Sequence, residues 1–154
     1  MPKTLVAYFS CSGVTAAAAK KLAAAADADL FEIRPSQAYT EADVNWRNPL
    51  SRCNREKLKG TKPALAEPVP DLTGYDAVYV CYPVWYYTVP LIIHSFLSGG
   101  DFTGKRVVLF LTSGGSSFGK AVGHVQKTVP GAVVEEGCSL NGDADAAIRA
   151  YLGK

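Results

Sequence analysis

Five strand-like runs alternating with helical segments constrain this chain more than any other feature. Leu5-Val6-Ala7-Tyr8-Phe9, Leu30-Phe31-Glu32-Ile33, Ala77-Val78-Tyr79-Val80-Cys81-Tyr82, Arg106-Val107-Val108-Leu109-Phe110-Leu111 and Ala132-Val133-Val134-Glu135 carry the β-branched and aromatic residues of buried strands. Pro35 closes the second run and Pro83 ends the third. The intervening Thr15–Ala26, Leu91–Leu97, Lys120–Val129 and Asp143–Leu152 read as helices, the last with Asp143 as its N-cap. Near-continuous apolar strands separated by helices predict an α/β fold: a parallel sheet covered on both faces, in one domain spanning residues 1–154.

One connection does not fit the alternation. Arg34 to Asp71 is too long for an ordinary link between strand and helix. Within it Arg47, Arg52, Arg55, Lys57, Lys59 and Lys62 stand against Glu56, so the chain's net charge of +2 is concentrated there. It reads either as a solvated excursion with one short helix or as a cover over a ligand site that offers positive charge to an anionic partner.

Composition narrows the class. The chain has 154 residues, 48% of them hydrophobic and 19% charged, which supports an ordinary core. It has no apolar run near the roughly 20 residues a membrane span needs, nor the basic-then-apolar opening of a secretion signal, so a cytoplasmic protein without a membrane or nucleic-acid partner is expected. Cys11, Cys53, Cys81 and Cys138 are scattered without a C-x-x-C pair, and only two histidines accompany them, which argues against structural zinc.

Ligands of open α/β sheets bind beyond the carboxyl ends of the strands. Three loops fall there. Ser10-Cys11-Ser12-Gly13-Val14-Thr15 joins the first strand to the first helix, where backbone N–H groups and the helix dipole suit a phosphate. No Lys or Arg occurs from Ser10 to Ala19, so an anion there rests on amides and on the hydroxyls of Ser10, Ser12 and Thr15. Tyr82-Pro83-Val84-Trp85-Tyr86-Tyr87 offers flat faces for stacking. Thr112-Ser113-Gly114-Gly115-Ser116-Ser117-Phe118-Gly119 offers hydroxyls and approachable backbone. A phosphorylated planar aromatic cofactor uses all three.

These motifs resemble the flavodoxin-like family, in particular its compact branch with an F-S-x-S-G-x-T loop, a Y-P-[IV]-W-aromatic turn and a T-S-G-G-S loop, present here as Phe9–Thr15, Tyr82–Tyr86 and Thr112–Ser116. Pro90, Ser95-Phe96-Leu97, Asp101–Lys105 and Tyr39–Trp46 also match, so the likeness spans nearly the whole chain. The resemblance implies a three-layer sandwich with a five-stranded parallel sheet in the order 2-1-3-4-5, and flavin mononucleotide (FMN) as cofactor. Carried over by position, Ser10, Ser12, Gly13, Val14 and Thr15 hold the phosphate. Pro83, Val84, Trp85 and Tyr86 line the isoalloxazine, and Thr112, Ser113, Gly114 and Gly115 reach its edge. Two positions depart from the pattern: Val14 replaces a frequent Asn, and Tyr86-Tyr87 replaces a usual Trp-Gly. Relatives often pair, so a homodimer is a further expectation of the resemblance.

Other readings of the same residues are weaker. Gly114 to Lys120 has Walker A spacing, but Ala121 stands where a Ser or Thr must hold magnesium. Cys11 lacks the arginine of a C-x5-R phosphatase loop, because Ala17 occupies that place. Trp85 and Tyr86 are either site or core aromatics, and Trp46 either anchors the excursion or covers a flavin. His94 and His124 lie in helical segments away from the three loops and receive no role. No catalytic side chain is nominated, since a flavin carries the chemistry itself. Carrier flavodoxins are typically strongly acidic, whereas this chain has a pI near 8.3. The expected function is therefore an FMN-dependent reductase passing electrons from a reduced nicotinamide to a quinone-like or other small acceptor. A one-electron carrier serving a partner reductase is the alternative.

Overall fold

The computed structural model describes residues 3–10, 13–37, 40, 47–60, 63–84, 88–112, 118–140 and 144–153. In chain order it contains β1 (Thr4–Tyr8), α1 (Val14–Ala26), β2 (Asp29–Glu32), α2 (Arg52–Lys59), β3 (Ala77–Pro83), α3 (Leu91–Ser98), β4 (Arg106–Thr112), α4 (Ala121–Thr128), β5 (Val133–Ser139) and α5 (Ala144–Leu152). The five strands form one parallel sheet in the order β2-β1-β3-β4-β5. Strand order reverses between β1 and β3, which creates a crevice at their carboxyl ends.

Alternation along the central strands feeds two cores. Val78, Val80 and Tyr82 of β3 join Ile92, Ile93 and Phe96 of α3 and Ala121 and Val125 of α4 on one face. Tyr79 and Cys81, with Val108 and Phe110 of β4, meet α1 and α5 through Ala18, Ala19, Leu22 and Ile148 on the other. The alanines of α1 let the helix lie close to the sheet. Its end is fixed by Asp27 in the left-handed region at φ 52°, with Asp27 N–H on the Ala24 carbonyl and Ala28 N–H on that of Ala23. This is a Schellman ending in which a short acidic residue takes the place usually given to glycine.

The strands end within a residue of the sequence expectation, except β5. Pro83 ends β3 as expected, as its last residue, opposite Thr112. β5 continues beyond Glu135 to Ser139 through a polar stretch, because it is an edge strand whose outer residues face water. Its register shifts between Leu109 and Leu111, forming a bulge beside Phe110. Gly137 allows that close approach, since a Cβ there would lie 2.7 Å from Phe110 Cε1 and 2.8 Å from the Leu109 carbonyl oxygen. Asp143 lies outside the described residues.

β3 and β4 are entered through the same turn, Asp71-x-Thr73-Gly74 and Asp101-x-Thr103-Gly104. The Thr73 hydroxyl donates to Asp71 Oδ1 at 2.6 Å, and its N–H donates to the same atom at 3.0 Å. Thr103 N–H donates to Asp101 Oδ1 at 3.1 Å. These bonds hold both carboxyls below the ordinary carboxylate range. A folded-state pKa that is lowered stabilises the fold above the unfolded value, and the stabilisation is lost as pH falls through the folded value. Replacing both aspartates with asparagine should therefore shrink the fall in melting temperature between about pH 5 and pH 2. Parallel melting curves for wild type and variant would show that the turns do not contribute to acid sensitivity.

Among its described residues the Arg34–Asp71 excursion contains the short helix α2, and it is tied down. Ile33 N–H donates to the Tyr8 carbonyl at 2.6 Å, and Pro35 pairs antiparallel with Leu65. Ser95 of α3 donates to the Pro63 carbonyl at 2.6 Å, while Leu65 and Val69 pack against the α3 and α4 core.

Candidate functional site

The parallel register places the ends of β1, β3 and β4 side by side. Phe9 N–H donates to the Cys81 carbonyl at 3.1 Å, and Val84 N–H donates to that of Thr112 at the same distance. The three loops singled out by sequence therefore leave one edge of the sheet together. Ser10, Gly13, Val14, Thr15, Pro83, Val84 and Thr112 are placed there. Ser12, Trp85, Tyr86, Ser113, Gly114 and Gly115 lie outside the described residues, as do Cys11 and Trp46.

The first loop is shaped by Gly13, the N-cap of α1, whose φ of 87° is in the left-handed region that glycine adopts without steric cost. No heavy atom lies within 4 Å of where its Cβ would be. Its N–H donates to Ser10 Oγ at 3.0 Å, and that bond uses only an acceptor position of the serine, leaving the hydroxyl proton to be directed elsewhere. The first bond into the helix runs from Ala17 N–H to the Gly13 carbonyl at 3.0 Å. The amides of Val14, Thr15 and Ala16 consequently have no acceptor within the helix. The first turn contains no acidic residue to compete for them. Val14 is 62% exposed, so this departure from the family pattern costs a side-chain donor while leaving the amide available.

Thr15 ties the first loop to the third. Its hydroxyl lies 2.7 Å from that of Thr112, with the two residues 2% and 3% exposed. Either hydroxyl can donate in this pair, which leaves the other's proton for a third acceptor. The cradle thus combines three amides, a helix dipole and orientable hydroxyls, and it suits a phosphate monoester without a cationic side chain.

Two features of the site were not legible in the sequence. His124, in the first turn of α4, has Nδ1 2.9 Å from the Thr88 hydroxyl, and Thr88 directly follows the Trp85–Tyr87 loop. His94 Nδ1 is 2.7 Å from the Thr128 hydroxyl, which also donates to the His124 carbonyl at 3.3 Å. The histidines form a polar seam between α3 and α4, and His124 reaches Thr88, the residue that follows the second loop. Such pairings are long-range and leave no local pattern. The second feature is Tyr82, whose fully buried hydroxyl has no hydrogen-bond partner among the described residues. Burial, with Glu136 adding, pushes its pKa far above the usual phenol value, so the group remains protonated.

Among the described residues no cluster of His, Cys, Asp or Glu could hold a metal ion, and no helix is long and apolar enough to cross a membrane. Cys81 is wholly buried, and its thiol is held far above its ordinary pKa by that burial, with Cys138 adding. It is an inert core residue.

A flavodoxin family model matches residues 3–154. A crystal structure from Bacteroides uniformis assigned as a flavoprotein is similar over 99% of both chains at 40% identity, with a TM-score of 0.93. Another so assigned, from Bacteroides eggerthii, is 44% identical over 99% of this chain and 97% of that one, with a TM-score of 0.92. A flavoprotein from Lactobacillus acidophilus in complex with FMN shares the fold at 22% identity, covering 99% of both chains with a TM-score of 0.72. No curated protein matches the chain. The family match over nearly the full length, on a parallel sheet in the order β2-β1-β3-β4-β5, makes this chain a member of the flavodoxin family.

Proposed function

We propose that this member of the flavodoxin family, an FMN-binding flavoprotein, works as a reductase that draws electrons from a reduced nicotinamide and delivers them to a quinone-like or other small acceptor. Bound FMN supplies the redox chemistry, and the protein supplies position and electrostatics. The amides of Val14, Thr15 and Ala16 and the hydroxyls of Ser10, Ser12 and Thr15 would hold the phosphate. Pro83, Val84, Trp85 and Tyr86 would flank the ring, and Thr112, Ser113, Gly114 and Gly115 would meet its polar edge. With the dianion's charge spread over amides, no lysine or arginine is needed beside the ring. Thr88 and His124 would keep the ring-flanking loop in place.

The observation that favours a reductase over a carrier is the charge of the chain. A net charge of +2 and a basic excursion give none of the acidic field by which carrier flavodoxins reach basic partners. A cytoplasmic setting accords with a nicotinamide donor. Turnover decides between the two readings. The purified, FMN-loaded protein should by itself oxidise NADH or NADPH when a quinone is supplied. Electron uptake only from an added reductase would replace this reading with that of a carrier.

A further inference from the structure

Helix α2 is amphipathic in an inverted sense. Its inward side is polar: Arg52 Nε donates to Glu56 Oε2 at 3.0 Å, and Arg52 also donates to the Gln37 carbonyl at 2.7 Å, with both charged side chains about 13–14% exposed. Its outward side carries Arg55, Leu58 and Lys59, at the i, i+3, i+4 spacing of one helical face. Leu58 is 88% exposed, and Leu50, just before the helix, is 77% exposed. Leu50 occupies the position from which an apolar residue normally packs down on the first turn, yet it faces water. Neither Arg55 nor Lys59 forms an ion pair among the described residues. Through Gln37 the helix is anchored beyond the carboxyl end of β2, the end of the sheet from which the three loops emerge.

An apolar centre with a cationic rim is the composition of a protein-binding surface. We propose that the Arg55–Leu58–Lys59 face of α2, with Leu50, docks an acidic redox protein beside the flavin crevice. Charge selects this occupant. A second copy set on the same face about a twofold axis would oppose Arg55 and Lys59 with themselves. A nucleic acid would use the cations and leave both leucines in water.

The probe is a two-cluster bacterial ferredoxin, a small acidic redox protein, titrated by calorimetry into the FMN-loaded chain between about 20 and 300 mM salt. The wild type should bind at low salt and weaken about tenfold or more at high salt. Arg55→Glu with Lys59→Glu should weaken low-salt binding by at least about tenfold and flatten its salt dependence. Lys3→Glu with Lys127→Glu makes the same change in net charge at the opposite end of the sheet and should bind nearly as the wild type does. Leu58→Ser should weaken the complex at both salts. Absent or salt-indifferent binding, equal losses from both charge reversals, full-strength binding by Leu58→Ser, or a DNA duplex displacing the ferredoxin would each overturn the proposal. The inference rests on the flavin reading, and the visible absorbance of the same samples separates the two. Colourless protein counts against the flavin, whereas coloured protein that meets one of those outcomes counts against the docking face.

Discussion

Thr15→Val should weaken FMN binding by about 1–3 kcal/mol, or roughly 5- to 150-fold, in a fluorescence titration of the apoprotein. The substitution keeps the shape of the side chain and removes one hydroxyl from a buried pair whose oxygens are 2.7 Å apart. Two consequences can be told apart. Thr112 is left in a closed environment with an unpaired hydroxyl, which costs the fold about 1–3 kcal/mol. In the proposed site the phosphate would also lose one of its hydroxyl donors. Thr15→Val combined with Thr112→Val removes the orphan, so the double variant should regain most of the stability of the wild type while its FMN affinity stays low. Recovery of both would mean that the hydroxyl pair only braces the loops, and unchanged affinity in the single variant would remove Thr15 from the site.

The largest expected loss of stability is at Phe110. This fully buried ring lies 5.1 Å from Tyr79 and 5.1 Å from Tyr151, the latter edge-on at 89°, and so joins β3 and β4 to α5. Phe110→Ala should cost about 3–5 kcal/mol through lost burial and a residual cavity. In a chain of this length that lowers the melting temperature by roughly 6–20 °C. Val133→Ala, at a residue 57% exposed on the edge strand, should stay within about 0.5 kcal/mol of wild type. Equal effects of the two would contradict the packing of α5 on the sheet.

Legibility in the sequence followed burial. The central strands β1, β3 and β4 are covered on both faces, so their composition alone marks them, and the runs beginning at Leu5, Ala77 and Arg106 stand within a residue of the observed strands. β5 was half hidden. Glu136, Gly137, Cys138 and Ser139 do not read as a strand, because an edge position and a bulge under Phe110 ask for polar and small residues. The strand-to-helix turn at Ser10, Gly13 and Thr15 was legible because it is local, lying within a single connection. The Thr15–Thr112 bridge and the Thr88–His124 brace span 97 and 36 residues and required the fold. Charge counting likewise does not reveal that Arg52 is held by Glu56 and the Gln37 carbonyl, whereas Arg55 and Lys59 are exposed.

The claim on which the account depends is that the amino end of α1 grips a phosphate without help from a cation. Titrating the apoprotein with FMN and with riboflavin, which differ only in that phosphate, tests it most directly. FMN should bind one to one, and riboflavin should bind about 100-fold or more weakly, the equivalent of one or two charge-assisted hydrogen bonds. Equal affinity for the two flavins, or no uptake of either, would contradict the account.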